Sequence, residues 1–386
     1  MTLATTKTFV EYFAGIGLMR LGMAQAGWDA VFANDFDPRK HEMYRAAFGD
    51  DGDLYRVDDV FNLQAHEIPP AMVATCSFPC IDLSLAGNQT GMRGAHSSAF
   101  WGFIDLLKMQ TESAPPVLLI ENVTGWLTSN KGQDFRLTIR SLNDLGYACD
   151  VFELDARRFT PQSRPRIFVV AARIGTPQAD LATFMVRPES LAPKRVRSAV
   201  LSNTDLRWHF LPVPAPPDLR GDGFSAIAEV LDTDDARWWD EAKVAHHLAM
   251  MAPSHRDYVQ HLIEQPQVVY RTIYRRMRSG QQRAEVRKTD TAGCLRTARG
   301  GSSRQIVIAV GQGRVQMRQM TAREYARLQG VPDSYPVHVD EAQALTGFGD
   351  AVCVPAIAWI AREVLNPLVA SLVMHSPITH HVLRSK

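Results

Sequence analysis

Short apolar runs alternate with glycine-containing turns and polar segments through the first 175 residues. Four runs lack helical periodicity and are rich in strand-forming residues, which predicts buried strands of a parallel sheet; they lie at 8–13, 30–33, 71–74 and 117–120. A helical spacing of apolar positions begins at Leu18, just after the first run. Two later runs, 151–154 and 167–171, predict an antiparallel pair. The pattern as a whole predicts an open α/β sheet.

Composition limits the class of protein. The chain has 386 residues, 46% of them hydrophobic, which suits a globular protein with two domains or one domain carrying a large insertion. Five cysteines at irregular positions do not resemble a disulfide framework, so we expect a reducing, cytoplasmic location. Cys76 and Cys80 lack a second pair at zinc-ligand spacing, and no metal is expected. We also expect no secretion signal and no membrane-spanning segment.

A cysteine directly follows the third run. Phe78-Pro79 must end that strand because proline donates no hydrogen bond to a sheet. Cys80 is therefore expected at the carboxyl edge, where ligands bind in open α/β sheets, although a free cysteine is more often a small buried hydrophobic residue. Glu121 ends the fourth run and is expected at the same edge. The pattern-free segment Gly87–Ser98 is expected to be a lid.

The first strand, turn and helix are typical of a nucleotide-cofactor site. Gly15 and Gly17 allow a ligand to approach the backbone closely, beside the free N–H groups of a helix start. Asp35 lies 20 residues after Gly15, at the end of the second strand, and is expected to bind ribose hydroxyls. Phe36 is expected to stack on adenine. The acidic tip at Asp59 is expected to meet the exocyclic amine of that base.

Gln162, Arg164 and Arg166 alternate between the two antiparallel strands, so an extended segment places them on one face. With this motif, the chain resembles the DNA cytosine-5 methyltransferases through an ordered set of motifs: Phe13–Gly17, Pro79-Cys80, Glu121–Val123, Gln162–Arg166, Arg318–Gly330 and Gly349–Pro355. The resemblance covers residues 8–173 and 318–365. The order of the motifs is far more specific than any one of them.

The resemblance implies a Rossmann-like methyltransferase sheet with a smaller inserted target-recognition domain. It implies a catalytic and cofactor-binding domain at 1–180, the target-recognition domain at 181–320, and a C-terminal return to the catalytic domain at 321–386. Such an enzyme transfers a methyl group from S-adenosylmethionine to C5 of a flipped-out cytosine in a specific double-stranded DNA sequence. Because C5 is a poor nucleophile, a thiolate first adds to C6.

The resemblance also implies roles for individual residues. Cys80 is the nucleophile, Glu121 holds N3 and the 4-amino group, and Arg164 favours the thiolate. Arg166 completes the catalytic set. The implied cofactor-binding residues are Phe13, Gly15, Gly17, Asp35, Phe36, Asp59, Pro79, Asp350 and Val352. The expected DNA-binding residues are Ser84, Asn88, Gln89, Arg275, Arg276, Arg278, Arg299, Gly300 and Gly301.

The segment from about 175 to 315 lies outside the resemblance and contains many prolines, which argues against a long helical domain. Between Arg271 and Arg304 there are ten basic residues and two acidic ones, so 10 − 2 gives +8 in a chain of net charge +1. Such an excess favours nucleic acid over an ordinary solvated surface. In the family, this position holds the target-recognition domain.

Three alternatives stay open. Cytosine-5 methylation of transfer RNA uses the same catalytic motifs, but the long basic insert favours DNA. A catalytically inactive DNA-binding homologue requires loss of Cys80, Glu121 or Arg164, and a dehydrogenase leaves these residues unexplained. The chain departs from the family at Asp350, usually asparagine, which puts cofactor affinity in question; Glu11 and Leu18 also differ. We expect a monomer and a restriction or defence-system partner.

Overall fold

The computed structural model describes residues 7–50, 52–79, 99–177, 179–297, 304–337 and 340–374. Contacts divide the described chain into two compact units. The first unit contains residues from 7–155, 165–216 and 354–374, and the second contains residues from 156–164 and 217–353. The domain boundaries expected from the sequence, at 180 and 320, differ from these divisions. The roles expected for the domains stay a prediction.

The first unit is built on a seven-stranded sheet in the order β3-β2-β1-β4-β5-β7-β6. Its strands are β1 (Thr8–Tyr12), β2 (Asp29–Asp35), β3 (Tyr55–Val57), β4 (Val73–Cys76), β5 (Val117–Val123), β6 (Ala148–Asp155) and β7 (Pro165–Ala172). The first five are parallel, and β7 is antiparallel to β5 and β6. The predicted parallel sheet and antiparallel pair are confirmed.

The central strands are apolar on both faces because helices cover both. Every residue from Val117 to Ile120 is fully buried, so β5 shows no alternation of polar and apolar positions. The helices of this unit are α1 (Leu18–Ala24), α2 (Pro38–Phe48), α3 (Ala99–Gln110), α4 (Gln133–Asp144), α5 (Leu181–Met185) and α6 (Lys194–Leu201), followed after the second unit by α11 (Val354–Ile360) and α12 (Asn366–Met374).

The C-terminal segment belongs to the first unit from Val354 onward. Helix α11 ends at Ile360, and a π-helical turn, Ala361–Leu365, joins it to α12. Helix α11 packs on α1 without room for a side chain at Gly22, where a Cβ atom would lie 2.6 Å from Cβ of Ile357. Among the residues that the structure describes, one helical stretch, Glu341–Met374, is long and apolar enough to cross a membrane, but 78% of its apolar window is buried in the protein, as in a core helix.

The second unit contains a four-stranded antiparallel sheet in the order β11-β10-β8-β9. The strands are β8 (Val269–Arg278), β9 (Gln281–Val286), β10 (Ile306–Gly311) and β11 (Arg314–Gln319), and the helices are α7 (Glu241–Ala249), α8 (Pro253–Ile263), α9 (Ala322–Leu328) and α10 (Glu341–Asp350). Its core forms where α7 and α8 pack on the sheet. The helices are short, as the prolines predicted.

A buried ion pair fixes the start of α9 in this unit. Arg318 and Glu324 have no exposed side-chain surface, and Nη2 of Arg318 donates to Oε1 of Glu324 at 2.6 Å. Glu324 also accepts from the backbone N–H of Thr321, whose hydroxyl accepts from the backbone N–H of Glu324, which makes a capping box. The motif that begins at Arg318 therefore has a structural function.

Candidate active site

The crevice of the first unit lies where the strand order reverses. Strands β1 and β4 are neighbours in the sheet, but β1 is followed along the chain by β2 on one side of this pair, and β4 by β5 on the other side. This reversal of direction opens a crevice at the carboxyl ends of β1 and β4. The turn 13–17 follows β1, and the segment 77–79 follows β4. Both of the segments predicted to carry function therefore begin at this edge. Cys80, with the expected lid Gly87–Ser98, lies outside the described residues.

The segment before Cys80 is attached to β5 by Asn122. Its side-chain Nδ2 donates to the carbonyl oxygen of Phe78 at 3.2 Å, and its Oδ1 accepts from the backbone N–H of Val123 at 2.8 Å. Asn122 is 1% exposed, so these bonds are made away from water. From the sequence, Asn122 is marked only as the middle residue of the motif Glu121–Val123.

Asn122→Ala should lower the rate of methyl transfer per folded molecule, because the strand end before Cys80 loses its anchor. The buried carbonyl of Phe78 would also lose a donor, which costs roughly 1–3 kcal/mol of stability. Urea unfolding and single-turnover assays measure the two effects. Asn203→Ala is the control, since Asn203 is a buried asparagine of the same unit that bonds to Ala199 and Arg136. Equal rates per folded molecule in the two variants would contradict the anchoring role.

Glu121 forms an ion pair with Arg166. Strands β5 and β7 place Val123 opposite Arg166, so Glu121 lies diagonally across from that arginine. The Nε atom of Arg166 lies 2.9 Å from Oε1 of Glu121, and their side chains are 14% and 10% exposed. The ion pair holds the carboxylate in one orientation at the strand end.

Arg164 has other partners. Its guanidinium donates to the carbonyl oxygens of Leu295 at 3.1 Å and Ala351 at 2.7 Å, and it is 2% exposed. It also donates to the carbonyl of Gly349 and contacts the sulfur of Cys294. These contacts connect separate segments of the second unit and favour a structural role. The expected effect of Arg164 on a thiolate stays a prediction.

The turn after β1 has the geometry of a cofactor site. Phe13 has φ 59°, a left-handed conformation that is rare for an aromatic residue and typical of functional sites. Gly17 has φ 80°, and a Cβ atom there would lie 2.4 Å from the ring of Phe48. The backbone N–H of Gly15 donates to Oδ2 of Asp35 at 3.0 Å. Asp35 is 4% exposed and thus fixes the glycine turn itself.

The neighbouring strand ends present an aromatic and an acidic residue. Phe36 is 62% exposed directly after β2, which leaves its ring available for stacking. The carboxylate of Asp59 accepts from the backbone N–H of Phe61 and so caps the turn after β3. A strained turn, a glycine without room for a side chain and an exposed ring fit an adenosyl group. Pro79 is half-buried at the end of the segment that follows β4.

Asp350 and Val352 belong to the second unit. Asp350 is the last residue of α10, and its Oδ1 accepts from the hydroxyl of Thr297 at 2.7 Å. Val352 is 6% exposed. Their expected contact with the cofactor stays a prediction.

Glu11 is a buried acid that the sequence marked only as a departure from the family. It lies in β1, 2% exposed, and burial raises its pKa to about 8 against the opposing effect of Arg20. Its carboxyl accepts from the backbone N–H of Arg20, while Oε2 has no hydrogen-bond partner in the described part of the chain.

Glu11→Gln should stabilise the protein at pH 8 and change it little at pH 4.5. The pKa of Glu11 is 4.5 in the unfolded chain and about 8 in the folded protein. Between pH 4.5 and about pH 8, Glu11 therefore keeps its proton in the folded state and has lost it in the unfolded state. Stability therefore falls as pH rises through this window, by about 1.4 kcal/mol per pH unit at most. Thermal unfolding of both proteins across this pH range measures the difference. Parallel pH dependences would show that Glu11 is ionised in the folded state.

The basic run in the second unit contains both paired and exposed arginines. Arg271 lies 3.2 Å from Asp290, and Arg304 pairs with Glu341. Arg276 and Arg278 are exposed near the end of β8, and Arg275 is half-buried. The predicted excess charge is therefore partly neutralised. The other expected DNA contacts, Ser84, Asn88, Gln89, Arg299, Gly300 and Gly301, lie outside the described residues.

Comparisons with known proteins agree over nearly the whole chain. The sequence model of the C-5 cytosine-specific DNA methylase family matches residues 7–366. The Type II methyltransferase M.HpaII of Haemophilus parainfluenzae is 26% identical over 377 residues, covering 94% of this chain and 90% of the relative. M.HhaI of Haemophilus parahaemolyticus is 25% identical, covering 94% of this chain and 96% of the relative.

Solved structures show the same fold. The Dnmt2 methyltransferase of S. pombe is similar with a TM-score of 0.58 and 19% identity, covering 94% of this chain and 99% of that one. A putative DNA modification methyltransferase from an E. coli prophage has a TM-score of 0.57 and 16% identity with the same coverage. These likenesses confirm the expected Rossmann-like methyltransferase sheet.

Proposed function

The chain belongs to the C-5 cytosine-specific DNA methylase family, and on that premise we propose that Cys80, Glu121 and Arg166 carry its chemistry. The protein is a DNA cytosine-5 methyltransferase that uses S-adenosylmethionine. The observation that supports the residue assignment is the ion pair between Glu121 on β5 and Arg166 on β7. Asn122, next to Glu121, bonds to Phe78 in the segment just before Cys80. The family match favours DNA over the transfer RNA alternative.

The residues divide the reaction between them. The thiolate of Cys80 adds to C6 of cytosine and forms a C–S bond, which moves electron density toward C5 and N3. The protonated form of Glu121, oriented by Arg166, stabilises that charge by donating a proton or hydrogen bond at N3. Once C5 carries the methyl group, a base takes the C5 proton, N3 returns any proton it received to Glu121, and the C–S bond breaks, which restores the C5–C6 double bond and releases the thiolate of Cys80. When bound, S-adenosylmethionine supplies an electrophilic methyl group for C5.

The cofactor is held by the turn and the strand ends of the first unit in this proposal. Phe36 stacks on the adenine ring, and the turn from Phe13 to Gly17 approaches the ligand closely. Asp35 acts mainly by fixing the N–H of Gly15, although its oxygens retain lone pairs for a ribose hydroxyl. Asp59, Pro79, Asp350 and Val352 remain proposed contacts.

This enzyme acts on DNA, and its DNA contacts, oligomeric state, location and protein partner are further proposals. A cytosine paired in a duplex is out of reach of a nucleophile, so the target base flips out of the stack. Exposed Arg276 and Arg278 bind DNA, with Arg275 beside them. Since the relatives are named Type II methyltransferases, we propose that the enzyme works as a cytoplasmic monomer alongside a restriction enzyme.

Bisulfite sequencing tests the proposed function. The protein is produced in cells without cytosine-5 methylation, and their DNA is sequenced after conversion. Protected cytosines in one short sequence context support a sequence-specific DNA methyltransferase. Complete conversion of the DNA, together with protected cytosines in transfer RNA, would overturn the DNA assignment.

A further inference from the structure

The ends of β8 and β9 form a two-stranded ribbon that continues beyond the rest of their sheet. Strand β8 pairs with β10 only from Val269 to Ile273, whereas its pairing with β9 continues to Arg278 and Gln281. The strands are joined by Ser279-Gly280, with φ 48° and 76°, a tight hairpin turn. Every residue from 276 to 282 is exposed. The ribbon is therefore open to a partner.

One face of this ribbon carries a stacked arginine. Tyr274 and Arg276 lie on the same face because they are two residues apart on a strand. The Cζ atom of Arg276 lies 4.2 Å from the centre of the Tyr274 ring. Tyr274 is itself hydrogen-bonded to Glu285, its cross-strand neighbour. Stacking fixes the plane of the guanidinium, which forms no hydrogen bond or ion pair of its own with the described residues.

Arg276 also has a like-charged neighbour. It pairs across the ribbon with Arg283, and like charges directly opposite each other are destabilising. A negatively charged partner relieves this repulsion. The position therefore suits contact with a polyanion better than with water.

We propose that Arg276 is a specificity-determining residue that reads a guanine in the recognition sequence. The inference rests on the proposed function as a DNA methyltransferase. The major groove is about 12 Å wide and admits a two-stranded ribbon, and guanine presents two acceptors there, O6 and N7. A planar guanidinium donates to both at once through two N–H groups held in one plane, whereas a lysine ammonium reaches them as a point charge on a flexible stem. Stacking on Tyr274 holds the guanidinium plane, with its N–H donors, in place before DNA binds.

Two neighbouring arginines have different surroundings. Arg278 is bonded to Glu285 and Arg283 to Gln281. Both line a cavity of about 260 Å³ with residues 252–255, and Arg276 is not part of it. Phosphate contacts position a protein on DNA, whereas base contacts read the sequence and need donors in a set geometry. This difference separates Arg276 from the arginines around it.

Arg276→Lys tests the proposal because it keeps the positive charge and removes the planar guanidinium with its paired N–H donors. A random duplex library is methylated and sequenced after bisulfite conversion with the wild type, Arg276→Lys and the matched control Arg283→Lys. We expect Arg276→Lys to lose roughly 5- to 150-fold of the preference for guanine at one position. Arg283→Lys should keep the sequence preference of the wild type. Tyr274→Ala should weaken the same guanine preference, and Tyr274→Phe should retain it.

An unchanged guanine preference in Arg276→Lys would overturn the proposal, as would equal losses in Arg276→Lys and Arg283→Lys. Sequencing of duplexes that bind the same proteins, without any reaction, provides a second readout. If the wild type selects a sequence but methylates no cytosine, the proposed function fails while the binding data still test Arg276. If the wild type methylates one sequence and Arg276→Lys methylates that sequence with the same preference, only the inference about Arg276 fails.

Discussion

Glu121→Gln is expected to lower the rate of methyl transfer by roughly 10²- to 10⁴-fold, the usual contribution of a general acid or base. Glutamine preserves the shape of the side chain and can still accept a hydrogen bond from Arg166. It cannot deliver a proton to N3 as the thiolate adds to C6. Binding of S-adenosylmethionine should persist, because the residues proposed to hold it lie on other segments. Single-turnover methyl transfer and calorimetry measure the two properties.

The control is a second acid of the same unit that is similarly buried and ion-paired. Glu153 on β6 pairs with Arg195, and its side chain is 9% exposed, whereas that of Arg195 is 45% exposed. Glu153→Gln should keep the wild-type rate per folded molecule, because Glu153 belongs neither to the proposed catalytic set nor to the proposed cofactor site. Equal loss of rate in Glu121→Gln and Glu153→Gln would mean that the effect comes from disturbed packing and not from catalysis.

The central strands were predictable because both of their faces are buried. A run such as Val117–Ile120 then has no polar position, and it stands out between Pro115-Pro116 and Glu121. The pairing of β7 with β5 was less accessible. It joins residues that are 43 (Val123 and Arg166) to 55 (Val117 and Ala172) positions apart, and it decides that Arg166 and not Arg164 contacts Glu121. The alternating pattern of the two arginines was equally compatible with either contact.

The other differences between the predicted site and the observed site also arise from contacts between residues far apart in the sequence. Arg164 bonds to carbonyl groups 131 and 187 residues away, which no local pattern encodes. Three arginines of the basic run pair with acids, and one of those acids, Glu341, lies outside the run. The sum of charges therefore overstated the exposed positive surface. Asp35 was placed correctly at the end of β2, but its bond to the N–H of Gly15 depends on the folded turn.

Cys80→Ser is expected to abolish methyl transfer while DNA binding through the second unit persists. The hydroxyl of serine is far too weakly acidic to supply an anion at neutral pH, whereas a thiol ionises readily. Cys76 is the matched control, four residues earlier in β4. It is completely buried, and burial raises the pKa of its thiol well above the ordinary value, so it is a poor nucleophile. Cys76→Ala should retain methyl transfer.

Covalent trapping tests the central claim most directly. Duplex DNA with 5-fluorocytosine at the target position is incubated with the enzyme and S-adenosylmethionine, and the products are separated by denaturing electrophoresis. Fluorine at C5 replaces the proton whose removal expels the thiolate, so the C–S bond persists. The wild type and Cys76→Ala should give a protein–DNA band that Cys80→Ser lacks. A band that survives in Cys80→Ser but disappears in Cys76→Ala would show that Cys80 is not the nucleophile.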